Sequence, residues 1–128
     1  MTENNDLIMV LTTGKQDRGT RATLAFAWGC AALAMGKQVS MYLTMEGTMW
    51  ALRGAMRDVE VGGFEPLSAY LEQYCALGGE LLVCAPCSEY YCSFDRDTMT
   101  EKLIPEAKLV GLTTIVGKTG PSTKVITF

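Results

Sequence analysis

The sequence of 128 residues contains no histidine. This absence excludes Ser-His and Cys-His catalysis, and it excludes every His-ligated metal site built from a single chain. Any acid–base chemistry must therefore use Cys, Asp, Glu, Lys, Tyr or water.

The sequence also lacks a block of positive charge, and its net charge is −3. We therefore expect no nucleic-acid partner and no binding to an anionic membrane. The apolar stretch Leu24 to Met35 is too short to span a bilayer and is interrupted by Gly29. The N-terminal residues MTENND are polar and acidic, so no secretory signal is visible. A cytoplasmic protein is the expectation.

The five cysteines are an odd number, and without a secretory signal a disulfide framework is not expected. We expect reduced thiols, some of which fill the core. Cys30 lies inside an apolar helical segment, and Cys75 shares an i, i+4 spacing with Leu71. Both are predicted to be core residues.

Apolar runs and turn residues divide the chain into short elements. In the first part they predict a strand at Leu7–Thr12, a buried helix from about Thr20 to Met35 that is apolar almost all round, a strand at Lys37–Thr44, a short helix at Thr48–Met56 capped by Thr48, a loop at Arg57–Pro66 and a helix at Leu67–Leu77. In the second part they predict a strand at Leu81–Val83 that ends on Cys84, a helix that begins near Pro86, a segment Ser93–Leu103 that starts as helix and continues as loop, strands at Lys108–Val110 and Val125–Phe128, and a short helix at Leu112–Val116.

This alternation predicts a single α/β domain over residues 1–128, a three-layer α/β/α fold with a mainly parallel sheet of about five strands. Three strand ends, near Thr13, Glu46 and Cys84, would then lie along one edge. In such sheets, ligands bind outside the carboxyl ends of the strands.

Three thiols cluster where the third strand meets the following helix, at Cys84, Cys87 and Cys92. Free N–H groups and the macrodipole at a helix start stabilise a thiolate. The pattern therefore predicts that Cys84 is a reactive, sulfur-handling cysteine.

Six further residues are candidates for supporting roles around these thiols. Thr13 and Glu46 are expected to shape the pocket, and Arg18 and Arg21 are candidates to offset charge near a sulfur anion. Tyr90 and Tyr91 either close the site or pack at a subunit contact, and the sequence leaves both interpretations open.

Three blocks of the sequence carry a family resemblance: LIMVLTTG with its following helix, LTMEGTMWALRGAM with GGFEPLSAYLEQYCALGGELLVCAPC, and LIPEAKLVGLTTIVGK with KVITF. In content and order they resemble the DsrE/DsrF-like family of sulfur-relay proteins. The resemblance implies a sulfurtransferase-like carrier in which Cys84 accepts sulfur as a persulfide and passes it on, rather than an enzyme that converts a metabolite. It also implies donor and acceptor proteins as partners and a homo-oligomer, a trimer or hexamer. Cys87 and Cys92 are additions to the simplest family pattern, and Cys87 is the second candidate catalytic residue.

Two other functions and one structural interpretation compete with this one. Cys84-Ala-Pro-Cys87 has the spacing of a thioredoxin-like thiol–disulfide oxidoreductase, although more than half of the chain precedes it. Cys84, Cys87 and Cys92 offer three ligands for zinc or an iron–sulfur cluster, and an oligomer would have to supply a fourth. In the structural interpretation, the three thiols are buried residues that only fill the core.

No cofactor is predicted. The segment TTGKQDRG contains glycines but lacks the spacing of a P-loop or of a dinucleotide-binding fingerprint.

Overall fold

The structure, a computed structural model, describes residues 6–128. The polar segment 1–5, on which the expectation about a secretory signal largely rests, lies outside the described residues.

Five strands and five α-helices make up the described chain, with two 3₁₀ helices at Lys15–Asp17 and Met45–Ala51. The strands are β1 Asp6–Leu11, β2 Gln38–Leu43, β3 Glu80–Cys84, β4 Ala107–Val110 and β5 Lys124–Thr127. The helices are α1 Thr20–Ala34, α2 Leu67–Ala76, α3 Ala85–Tyr91, α4 Arg96–Lys102 and α5 Leu112–Lys118.

The five described strands form one sheet in the order β4-β3-β2-β1-β5, and each pair of neighbouring strands is parallel. The predicted α/β fold with a parallel sheet is therefore confirmed. In the register, Tyr42 on β2 lies beside Leu82 on β3, and Cys84 lies beside Val110 on β4. Because all strands run the same way, β1, β2 and β3 end at the same edge of the sheet, as predicted.

The two faces of the sheet are covered unequally. On one face α1 and α2 pack against each other and enclose the main core, where the rings of Phe26 and Tyr74 meet edge to face at 5.5 Å. The second face carries a smaller buried cluster of Tyr42, Leu82 and Cys84. Ile115 of α5 packs on that cluster, and α5 has only seven residues. The thin second layer places the candidate cysteine beneath a single short helix.

Helix α1 is buried on one side only, although its exposed side is also largely apolar, so the expectation of a helix buried all round is wrong. Its small residues face the core, whereas Leu24 and Trp28 are exposed, Trp28 to 46%. A helix lying on a sheet can bury only the stripe that faces the strands. The Trp28 ring also packs edge to face on Phe128, with centroids 5.4 Å apart.

The predicted short helix at Thr48–Met56 is replaced by the 3₁₀ helix Met45–Ala51, which crosses the carboxyl end of β1. Gly47 lies directly against the Leu11 carbonyl, where any Cβ would collide. The Trp50 indole N–H donates to the Thr13 carbonyl at 2.8 Å. The helix ends at Ala51 because Leu52 turns extended and bridges Leu103.

In Ser93–Leu103 the predicted order of helix and loop is wrong, because the loop comes first and α4 follows. Asp95 determines where the helix starts: its carboxylate accepts a hydrogen bond from the Thr98 N–H at 2.7 Å, an N-cap that fixes the first turn. Glu101 and Lys102 in the last turn of α4 are exposed.

Candidate functional site

Cys84 is the last residue of β3 and the cap of α3, at the carboxyl edge of the sheet. It shares a sheet face with Leu82, two residues earlier, and with Tyr42 on the neighbouring strand. The residues packed on this cluster are Val10, Cys87, Val110 and Ile115. Cys84 is only 1% exposed, so its sulfur is sheltered in the isolated chain.

The surroundings of Cys84 favour its anionic form. Burial acts to raise the pKa of its thiol, since a charge loses its water there. The Tyr42 hydroxyl, followed by the backbone N–H and the side chain of Cys87, stabilises the thiolate. Thr44 adds a smaller contribution of the same sign. The net pKa of Cys84 is lowered from the ordinary cysteine value.

Cys87 and Cys92 face two threonines of the segment that crosses the sheet edge. Cys87 Sγ lies 3.3 Å from Thr44 Oγ1, and Cys92 Sγ lies 3.5 Å from Thr48 Oγ1. Both thiols are half-buried, but Cys87 packs on the Cys84 cluster and Cys92 packs on the main core. The structure therefore brings Cys84 and Cys87 together and places Cys92 in separate packing.

The two remaining thiols behave as core residues, as predicted. Cys30 is buried, and its Sγ donates to the Tyr70 carbonyl at 3.3 Å. Cys75 is half-buried against the same core. Burial raises the pKa of the Cys30 thiol and of the Cys75 thiol, the opposite of the net effect at Cys84.

The contacts of the predicted supporting residues lie away from the Cys84 sulfur. Thr13 is buried and accepts the Trp50 indole through its carbonyl. Glu46 is an exposed residue of the 3₁₀ helix. Arg21 pairs with Asp17 at 3.3 Å on the surface, and Arg18 is exposed in a left-handed turn.

Tyr90 and Tyr91 both lie at the surface, with their rings edge to face at 4.8 Å. Their exposure favours the interpretation as contact residues over closure of the site. Large apolar side chains are also exposed on α5 and β5: Leu112, Val116 and Val125.

Sequence reasoning missed two residues of the site, Tyr42 and Thr44. Tyr42 was assigned only to a strand, yet in strand alternation it takes the face opposite Met41 and Leu43. Counting the same alternation along β3 places Leu82 and Cys84 on that face too. Thr44 follows β2 at the sheet edge, where Cys84 ends β3. The signal that could have identified both residues is the combined alternation of side chains along β2 and β3. It can be used only when β2 and β3 are known to be neighbours.

Among residues 6–128, no three Cys, Asp or Glu side chains lie together as a group able to hold a metal ion. The three-thiol chelate therefore has no geometric support within one chain. No helix in the described part of the chain has the length and apolarity to cross a membrane.

The sequence profile of the DsrE/DsrF-like family matches residues 6–128, nearly the whole chain. Two solved structures share the fold. The ychN protein from E. coli superimposes with a TM-score of 0.73 at 18% identity, over 100% of both chains. BT1422 from Bacteroides thetaiotaomicron, described as a conserved protein of unknown function, gives a TM-score of 0.65 at 12% identity, over 98% of this chain and 96% of its own. No curated protein matches by sequence.

Proposed function

We propose that this chain, which belongs to the DsrE/DsrF-like family, is a sulfur carrier that holds sulfane sulfur as a persulfide on Cys84. Membership supports a role related to sulfur relay. The assignment to Cys84 rests on one contrast among the thiols: the surroundings of Cys84 lower its pKa, whereas those of Cys30 and Cys75 raise theirs. The thiolate is the nucleophile in thiol exchange, so Cys84 is better prepared to react than Cys30 or Cys75.

The transfer consists of two redox-neutral exchanges at sulfur. The Cys84 thiolate attacks the outer sulfur of a donor persulfide, a bond forms between the two sulfurs, and the donor cysteine leaves as a thiolate. An acceptor thiolate then attacks the outer sulfur of the Cys84 persulfide, and the Cys84 thiolate leaves. Each step breaks one sulfur–sulfur bond and forms another, so no cofactor or external oxidant is needed.

The burial of Cys84 shapes how partners reach it. Cys87 is half-buried beside it, and Ile115 packs on the cluster that contains it. A donor therefore approaches past Cys87 or after α5 moves aside. The partners are small persulfide-bearing proteins in the cytoplasm, with no nucleic acid and no membrane involved.

We expect the working form to be a closed homo-oligomer, a trimer or a hexamer. Leu112 and Val116 are exposed one turn apart on the outer side of α5, and Val116 is 68% exposed. Exposed apolar side chains of this size mark contact surfaces when they cluster. An interface on α5 would lie on the helix that covers Cys84, so assembly and access to the thiol would be linked.

A thiol–disulfide oxidoreductase is the second candidate, favoured by the packing of Cys87 on Cys84. The two functions differ in what each thiol must do. An oxidoreductase requires both thiols and forms an internal disulfide when oxidised, whereas a carrier requires only Cys84 for loading.

Intact-mass measurement after incubation with polysulfide tests the proposal. The wild type should gain whole sulfur atoms that a reductant removes, and Cys84→Ser should gain none at that site. Cys30→Ser, which changes a buried thiol on the other face, is the matched control and should load like the wild type. Full loading of Cys84→Ser would overturn the assignment. An oxidised protein that gains no sulfur and forms a disulfide between Cys84 and Cys87 would favour the oxidoreductase.

A further inference from the structure

We propose that the Tyr42 hydroxyl stabilises the anionic sulfur on Cys84, a role that rests on the proposed function of that thiol. The Tyr42 hydroxyl is an unusual group. Tyr42 Oη is buried, and it has no hydrogen-bond partner among residues 6–128. Buried hydroxyls are nearly always paired, because an unsatisfied one loses the free energy of its hydration.

The strand register directs Tyr42 towards Cys84. Tyr42 lies beside Leu82, and Cys84 follows Leu82 by two residues on the same face. A tyrosine side chain is long enough to reach such a diagonal neighbour on the adjacent strand. The two residues belong to one buried cluster, on which Cys87 also packs, and the Thr44 hydroxyl lies 3.3 Å from the Cys87 sulfur.

Three of the elements packed on the Cys84 cluster present apolar side chains to it. Val10 of β1, Val110 of β4 and Ile115 of α5 face it with apolar side chains. The titratable groups that face it are Tyr42 and Cys87. Burial raises the pKa of Tyr42, and the neighbouring Cys84 raises it further, so the phenol keeps its proton as a donor.

The chemistry of sulfur explains why a donor is held there without a partner. A neutral thiol is a weak acceptor, whereas a thiolate or a persulfide anion accepts strongly. The Tyr42 donor therefore gains its bond only when Cys84 is ionised or carries a persulfide anion. The bond stabilises the reactive anion relative to the resting thiol, and the anion is the form that attacks a donor.

The Tyr42→Phe variant tests this by removing one oxygen atom. The measurement is a pH titration of thiolate absorbance, taken as the difference between each protein and its Cys84→Ser counterpart. The Cys84 midpoint should rise by about one pH unit, a tenfold loss of thiolate at neutral pH. Tyr70→Phe, which removes a phenol on α2 that bonds the Glu65 N–H, is the control and should leave the midpoint unchanged.

Thermal melts at a pH where the thiol is neutral supply the second measurement. Tyr42→Phe should be as stable as the wild type or more stable, because the hydroxyl it removes has no partner in that state. An unchanged Cys84 midpoint in Tyr42→Phe would overturn the proposal. So would a clear loss of stability of that variant at a pH where the thiol is neutral. The titration uses no sulfur donor, so a shifted midpoint in a protein that fails to load sulfur would support Tyr42 and refute the carrier function instead.

Discussion

Truncation of Ile115 to alanine should expose the Cys84 thiol without unfolding the chain. Ile115 is the residue of α5 that packs on the Cys84 cluster, and none of the seven residues of α5 is fully buried. Truncating a fully buried isoleucine costs about 2–5 kcal/mol, and the half-buried Ile115 should cost about 1–2 kcal/mol. Because this loss of stability favours local opening of α5, the population of molecules with α5 open should rise about 5- to 30-fold.

Site-resolved labelling with a thiol reagent, followed by mass spectrometry of peptides, measures this opening. The labelling rate of Cys84 should rise by the same factor, while Cys30, on the buried side of α1 on the other face of the sheet, should label at its original rate. Val116→Ala is the matched control, since it truncates a neighbouring residue on the outward side of the same helix. An unchanged Cys84 rate would refute α5 as the cover. Parallel acceleration of Cys84 and Cys30 would show global unfolding and refute local opening.

Two further experiments address the second thiol and the assembly. In Cys87→Ser, sulfur should still load on Cys84 and persist longer in intact-mass time courses. The reason is that Cys87 of the wild type can attack the inner sulfur of the persulfide, form a disulfide and release sulfide. Unchanged persistence would remove Cys87 from the chemistry. Light scattering at micromolar concentration should show a trimer or hexamer for the wild type and a smaller species for Leu112→Glu, with Leu77→Glu, exposed at the end of α2, as control. A monomeric wild type would contradict the expected oligomer.

Periodicity predicted the parts of the fold in which local pattern and burial agree. The run Leu7–Leu11 is apolar on both faces because the strand is central, and the core-facing residues of α2 repeat at helical spacing. Such segments are recognisable because the side chains that must be buried are also those that define the period. The Ser93–Leu103 segment failed because an N-cap at Asp95, not hydrophobicity, decides where α4 starts.

The candidate cysteines were found for a different reason. Cys84 and Cys87 are close in sequence, and a strand followed by a proline-started helix places them at a sheet edge in any fold of this class. Which thiol has the lowered pKa depends on contacts that the sequence does not display. The position of Cys84 at a strand end distinguished it from Cys30 and Cys75, but the direction of each pKa shift follows from the spatial neighbours of each thiol.

The sequence by itself determined that this is an α/β protein without histidine chemistry, with a pair of thiols at the end of its third strand. Only the tertiary structure decided that Tyr42 and Thr44 belong to the candidate site, that Cys92 packs elsewhere and that Ile115 packs on the Cys84 cluster. The physical reason is that strand order is non-local. β2 becomes the neighbour of β3 through pairing across a long crossover, and the residues thereby placed on one face share no pattern along the chain.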